Sequence, residues 1–63
     1  MTTAVTAELS AINLWDGSTW FDEVTVRDHD GRELDVLRVP PAEEVETYDR
    51  ALRCAGYAGA VWV

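Results

Sequence analysis

The sequence predicts an α+β fold in the order β-β-β-α-β: a three-stranded antiparallel meander, one helix packed on one of its faces, and a short C-terminal strand. Two Asp-Gly pairs, Asp16-Gly17 and Asp30-Gly31, separate runs in which apolar and polar residues alternate, as they do in half-buried strands. Pro40-Pro41 closes the last of these runs, because proline cannot donate to a strand ladder. A stripe of apolar residues at helical spacing follows and ends at Gly56.

Residues 4–15 support two readings. Val5, Leu9 and Ile12 fit a helical stripe, whereas Val5, Ala7, Leu9 and Ala11 alternate with Thr6, Glu8 and Ser10 as a strand would. The turn decides between them. A two-residue type I′ turn at Asp16-Gly17, the geometry Asp-Gly favours, sets Leu9 opposite Val24, Ala7 opposite Val26 and Ala11 opposite Asp22 on one face. Glu8 then meets Thr25 and Thr6 meets Arg27 on the other face, while Trp15 lies across from Ser18 and Trp20 across from Asn13. Apolar residues meet apolar ones in a register chosen from the turn alone, which favours the hairpin.

The second turn, His29-Asp30-Gly31, suits a three-residue loop with glycine in the left-handed conformation. It pairs Val26 with Leu34, Val24 with Val36 and Asp22 with Arg38 on the inner face, and Arg27 with Glu33 on the outer. A two-residue loop would set Val26 against Asp35, so the longer loop is preferred. The expected strands are residues 4–15, 19–28 and 32–39.

Pro41 suits the first turn of a helix over Ala42 to Ala55. Val45, Tyr48, Leu52 and Ala55 form its apolar stripe, with Ala51 beside it. Glu43, Glu44 and Glu46 complement the positive end of the helix dipole, and Arg50 and Arg53 the negative end. Glu46 with Arg50 and Asp49 with Arg53 are i,i+4 pairs, each worth about 0.2–0.5 kcal/mol. Gly56 is placed to cap the helix, with Tyr57 touching Leu52 in a Schellman arrangement. A final strand, Ala60 to Val63, is expected to run parallel to the third. Its place in the sheet, beside the third strand or the first, stays open.

The 63 residues fit one small domain, and a chain this short hides only about 60% of its unfolded surface. One cysteine, Cys54, permits no intrachain disulfide, and no Cys/His set suits structural zinc. The N-terminal stretch has no basic region ahead of an apolar run, and no segment approaches the roughly 20 apolar residues of a membrane helix. The chain is expected to be soluble, in a virion or a host cytoplasm, and not exported by a signal peptide. Twelve acids against five bases give a net charge of −7, which repels nucleic acid and anionic membranes. All the bases are arginine, and alanine and valine are abundant, as in GC-rich, actinobacterial coding.

In the predicted registers Ile12 aligns with Phe21 and Phe21 with Val39 on the outer face, with Leu37 and Leu14 close by. One helix cannot cover both faces, so this apolar row is the expected partner-binding surface: Ile12, Leu14, Phe21, Leu37 and Val39, joined by Trp62. The competing reading has a twist or bulge turn these side chains inward to enlarge a small core. The candidates for chemistry are weaker. Asp28 to Gly31 begins like a calcium loop but lacks the later ligands, and reads as a solvated turn. His29 has no co-ligand and no nucleophile to activate. Asp22 is read as a structural ion pair with Arg38, Cys54 as a packing residue, and Glu43, Glu44 and Glu46 as a solvated first turn. With no glycine-rich phosphate loop either, no catalytic, cofactor or metal residue is expected, and the chain is read as a non-enzyme.

The stretch "INLWDGSTW", residues 12–20, resembles the "WDGSxW" and "WNGxxW" hairpins of minor tail and other virion proteins of actinobacterial phages. The resemblance implies a structural virion role, in a tail, a capsid decoration or a head-to-tail joint, with other protein subunits as partners in an oligomeric assembly. A second stretch, "VTVRDHDGRELDVLRVPPAEEV" over residues 24–45, is similar in rhythm to small actinobacterial proteins that accompany helix-turn-helix regulators. Their Trp-Arg/Lys-Ser-Ser segment is missing here, and the terminal "AVWV" lies outside their pattern. With the acidic charge, that second likeness implies an alternative: a small regulator or inhibitor that binds a basic or DNA-binding protein.

Overall fold

Alternation and turn chemistry build a mixed four-stranded sheet with one helix on its inner face. The computed structural model describes residues 5–42 and 44–63. The elements are β1 (Thr6–Trp15), β2 (Trp20–Arg27), β3 (Glu33–Val39), α1 (Val45–Cys54) and β4 (Val61–Trp62). The sheet order is β3-β2-β1-β4, with β1, β2 and β3 an antiparallel meander. β4 is shorter than the expected Ala60 to Val63, and it lies parallel to β1, which settles its place in the sheet. Val61 N–H donates to the Val5 carbonyl and Val63 N–H to the Ala7 carbonyl, each at 3.0 Å. The first residue of the expected first strand, Ala4, and the helix-start acid Glu43 lie outside the described residues.

The first hairpin keeps the predicted register at its open end only. Thr6 opposes Arg27, Ala7 opposes Val26, Glu8 opposes Thr25 and Leu9 opposes Val24, but Ala11 opposes Glu23 and Leu14 opposes Phe21. Two irregularities in β1, between Leu9 and Ala11 and between Ala11 and Leu14, account for the slip. The two-residue turn is replaced by a four-residue loop, residues 16–19, and its cause is Asp16. That carboxylate accepts the N–H groups of Ser18 and Thr19, both at 2.8 Å, while Asp16 N–H donates to the Thr19 carbonyl at 3.2 Å. Side-chain capture of local amides is what aspartate does in turns. Trp15 consequently faces Trp20 rather than Ser18, with ring centroids 5.1 Å apart. The second irregularity leaves Asn13 at φ 53, and its N–H is held by the Asp22 carboxylate at 2.8 Å.

The second hairpin has the predicted loop and then departs from it. Asp28 N–H reaches the Arg32 carbonyl at 2.9 Å, Gly31 sits at φ 86 and Arg27 opposes Glu33. A bulge at Leu34 then shifts β3 by one residue, so that Val26 opposes Asp35, Val24 opposes Leu37 and Asp22 opposes Val39. A one-residue slip sends each side chain to the other face. Leu37 and Val39 turn toward the core, while Leu34 and Val36 are left exposed. The expected Asp22–Arg38 ion pair is lost in the same step, and the Arg38 guanidinium lies instead over the Phe21 ring, 4.7 Å from its centroid.

The helix starts at Val45, later than predicted, after Glu44 in an extended conformation. Its C-terminal end is as expected. Gly56 N–H bonds to the Arg53 carbonyl at 3.1 Å and Tyr57 N–H to the Leu52 carbonyl at 2.8 Å, with Gly56 at φ 96. Tyr48 and Leu52 are buried, and Ala51 and Tyr57 pack beside them. Val45 and Ala55, expected in the buried stripe, are exposed. Neither Glu46 with Arg50 nor Asp49 with Arg53 closes as an ion pair; the described ion pair between strands is Arg27 to Glu8, at 2.9 Å on the outer face. The core is small: Ala7, Val24, Val26, Val39, Tyr48 and Leu52.

Candidate docking site

Aromatic hydrogen-bond donors and carboxylate acceptors fix the helix and its flanks to the sheet. The Tyr48 hydroxyl donates to Asp22 Oδ2 at 2.6 Å and lies 3.0 Å from the Ala42 carbonyl. The Tyr57 hydroxyl donates to Asp35 Oδ2 at 3.2 Å, and Trp62 Nε1–H to Asp49 Oδ1 at 2.6 Å. Asp22 is buried, and the Asn13 amide and Tyr48 hydroxyl together satisfy it. The hydrogen bond to Asp22, reinforced by burial, holds the Tyr48 phenol above its ordinary pKa. For Tyr57 burial is the larger cause, and the bond to Asp35 adds to it in the same direction.

These bonds leave part of the inner face uncovered. A ten-residue helix is only about 15 Å long, whereas a ten-residue strand such as β1 runs roughly 33 Å. Where the helix begins, Leu9, Val45, Tyr48 and Trp62 line an apolar cleft of about 280 Å³. The Trp62 ring meets the Tyr48 ring edge-on, with centroids 6.1 Å apart, and so fixes one wall. Beside the cleft, Leu9, Ile12, Asn13, Asp22, Pro41 and Ala42 continue a shallow groove. Leu9 is 41% exposed, Ile12 58% and Val45 59%, so the groove presents large aliphatic side chains to solvent.

Beside the groove, the described pairing of β1 with β4 covers Thr6 and Ala7.

The residues predicted to bind a partner are divided between the two faces. Ile12 and Trp62 border the groove on the helix side. Leu14 and Phe21 oppose each other on the far face and are half-buried. Leu37 and Val39 are corrections: the Leu34 bulge carries both inward, Val39 to 2% exposure, so the predicted apolar row across three strands does not form. Sequence reasoning placed Leu9 and Val45 in the core and therefore missed them as surface. The legible signal was length, since so short a helix cannot cover the inner face of so long a strand.

The other candidate positions do not converge on the groove. His29 is exposed, and its Nε2 lies 3.5 Å from the Asp30 carboxylate. Asp28 Oδ1 accepts the N–H groups of Asp30 and Arg32, both at 2.9 Å, and these bonds, that of Arg32 first, hold its carboxyl below the ordinary pKa. Cys54 does not pack as expected and is exposed at the helix end. Among the described residues no three His, Cys, Asp or Glu side chains cluster to hold a metal, and no helix is long and apolar enough to cross a membrane. Compared with protein families, curated proteins and solved structures, the chain significantly matches no family model, no curated protein and no solved structure.

Proposed function

We propose that this protein is a non-enzymatic interaction module that docks another protein subunit through the groove formed by Leu9, Ile12, Val45 and Trp62. The observation that carries this reading is an apolar cleft flanked by exposed aliphatic side chains. Contiguous apolar surface of this kind marks contacts with other proteins, and tryptophan is enriched where such contacts are strongest. The narrower role we assign is a small virion component, in a tail, a capsid decoration or a head-to-tail joint. That assignment draws on the likeness of the Trp15-to-Trp20 hairpin to virion proteins.

Co-purification with particles tests the proposal. Leu9→Ser with Val45→Ser is expected to abolish incorporation while lowering the melting temperature far less than a core substitution, because Leu9 is 41% and Val45 59% exposed. Full incorporation of the double variant would sink the groove as the docking site. The alternative, a small acidic regulator or inhibitor of a basic protein, is favoured by the net charge of −7 and by the absence of any arginine from the groove lining. It requires a one-to-one complex, whereas a virion role requires many copies in a symmetric array; the mass of the native complex separates them.

A further inference from the structure

The loop end of the first hairpin carries a second cleft, which shares no lining residue with the groove at Leu9. β3 stops where Pro40 enters, because proline cannot donate to the ladder, and its last described pair is Asp22 with Val39. Phe21 and Trp20 of β2 therefore run past the end of β3. With Asp16 and Thr19 of the loop, Arg38 and Pro40, they line a shallow cleft of about 400 Å³, near the low end of the range for ligand pockets. Trp20 is more than half exposed, and the Trp15 ring beside it, equally open, extends the aromatic surface.

The polar groups around this cleft have bonding capacity to spare. The Arg38 guanidinium, over the Phe21 ring, has no ion-pair partner among the described residues. Asp16 Oδ1 is occupied by the Ser18 and Thr19 amides, but Oδ2 meets only the Thr19 hydroxyl, at 3.4 Å. The Thr19 amide, then the Ser18 amide, and more weakly the Arg38 charge hold the Asp16 carboxyl below its ordinary pKa, so Oδ2 is an anionic acceptor at neutral pH. The Trp62 indole N–H is bonded to Asp49, whereas those of Trp15 and Trp20 have no acceptor among the described residues.

A fitting ligand presents positively polarised hydrogens to the ring faces, which are the negative side of an aromatic quadrupole. It also brings groups that donate to Asp16 and accept from Arg38. One carboxylate and one guanidinium leave the cleft without net charge, and the −7 on the whole chain turns polyanions away. A proline-rich segment offers apolar faces, but its prolines have no N–H for Asp16. From this combination we propose that the cleft binds a neutral pyranose residue of a glycan, with the C–H face of the ring on Trp20 and its hydroxyls shared between Asp16 Oδ2 and the Arg38 guanidinium. Sugar hydroxyls both donate and accept, and their oxygens polarise the ring C–H bonds toward the indole. This role is separate from subunit docking, and neither depends on the other.

The test titrates methyl pyranosides of glucose, galactose, mannose and N-acetylglucosamine, and the matching oligosaccharides, into the full chain and follows its indole N–H resonances. At least one neutral sugar is expected to shift the Trp20 and Trp15 signals saturably and to leave Trp62 in place. Trp20→Ala is expected to abolish binding, and Trp20→Phe, which keeps a ring face, to retain part of it. Asp16→Asn keeps an oxygen for the turn amides but sets a donor where Oδ2 accepts, and Arg38→Met keeps an apolar stem over Phe21 without the donors. Each is expected to weaken binding about tenfold, with the Trp62 resonance unmoved as the sign of an intact fold. Raising salt is expected to change the affinity little, because the ligand is uncharged. Tighter binding of the oligosaccharides assigns the site to a glycan chain, and equal binding assigns it to a single terminal residue. Absence of a Trp20 shift with every sugar would overturn the proposal, as would undiminished binding by Trp20→Ala. A preference for a uronic acid oligosaccharide or for a polyproline peptide over every neutral sugar would also overturn it, making the ligand an anion or a peptide.

Discussion

The two sides of the inner sheet face are built to opposite ends. On the β3 side the Leu34 bulge turns Leu37 and Val39 inward, and the Asp35 carboxylate accepts both the Val36 N–H at 2.9 Å and the Tyr57 hydroxyl at 3.2 Å. One side chain thus blocks a ladder donor on the free edge and secures the segment after the helix. On the β1 side a strand of two residues pairs with a strand of ten, and Leu9, 41% exposed, lines an apolar cleft. Unpaired edges invite pairing with other chains, and bulges and charged side chains are the usual means of blunting them. The bulge and Asp35 blunt β3, and the two irregularities after Leu9 interrupt β1; what separates the two sides is that the helix and Tyr57 cover one and leave Leu9, Ile12 and Val45 exposed on the other.

The comparison breaks most severely at the core beneath the closed side. Leu52 is 2% exposed, and Leu52→Ala is expected to destabilise by about 2–5 kcal/mol, enough to unfold a domain this small in a thermal or urea titration. Val45→Ala, at the open side of the same helix, is expected to change stability by less than about 0.5 kcal/mol. Comparable losses from the two substitutions would refute the division into a closed and an open side.

Next in size is the bond that joins the two sides. Tyr48→Phe leaves the buried Asp22 carboxylate with the Asn13 amide alone, at a cost of about 1–3 kcal/mol by urea denaturation. The same bond gives a pH dependence whose sign is fixed. Tyr48 and Tyr57 both have folded pKa values raised above the ordinary 10.0, so their contribution is fully present below pH 10 and is lost as pH rises through the folded values. An alkaline melting series is expected to show stability falling above pH 10, and the fall should shrink in Tyr48→Phe and Tyr57→Phe. A parent protein whose melting temperature is flat over that range would exclude the link. Asp16 and Asp28 act at the other end of the scale. Both are lowered from 3.8 by turn amides, so what they contribute is present above that value and is lost as pH falls through their folded values.

A smaller effect tests the blunted edge itself. Asp35→Ala frees the Val36 N–H and removes the acceptor of Tyr57, at about 1 kcal/mol. The variant is expected to self-associate with rising concentration in sedimentation, because β3 then offers a bare edge flanked by exposed Leu34 and Val36. A variant as monodisperse as the parent would show that Asp35 does not guard the edge.

How much of this was legible in the sequence depended on whether a feature is local. The order of elements, the His29–Gly31 loop, the Gly56 cap and the pairs from Thr6–Arg27 to Leu9–Val24 each follow from residues close in sequence or from simple alternation. The bulges do not, because each is chosen by what lies across the sheet. At Leu34, burial of both Leu37 and Val39 competes with burial of Leu34 and Val36, and no periodicity in β3 reports which pair the helix will meet. The expected apolar row inherited that misreading of the register. It was expected on the outer face at Ile12, Phe21 and Val39, whereas Val39 is buried and Ile12 lies on the helix side beside exposed Leu9 and Val45.

The smallest expected effect concerns the loop end of the first hairpin, where the β1 irregularities bring Trp15 opposite Trp20. Their rings are tilted by 50° with centroids 5.1 Å apart, within the range in which aromatic pairs attract beyond simple area burial. Both remain more than half exposed, at 54% and 58%, which places their coupling near the low end, about 0.5 kcal/mol. A double-mutant cycle with Trp15→Ala and Trp20→Ala measures it directly. The coupling also tests the register. In the two-residue turn the rings would not be opposed, and the two substitutions would be additive; with Asp16 holding the Ser18 and Thr19 amides they share a contact. Asp16→Ala should therefore reduce the coupling toward zero by releasing the loop that sets the pair, while leaving the Leu9–Val24 pairing, beyond both irregularities, unchanged. If the coupling survives intact in Asp16→Ala, the tryptophan contact rather than the aspartate fixes the loop length.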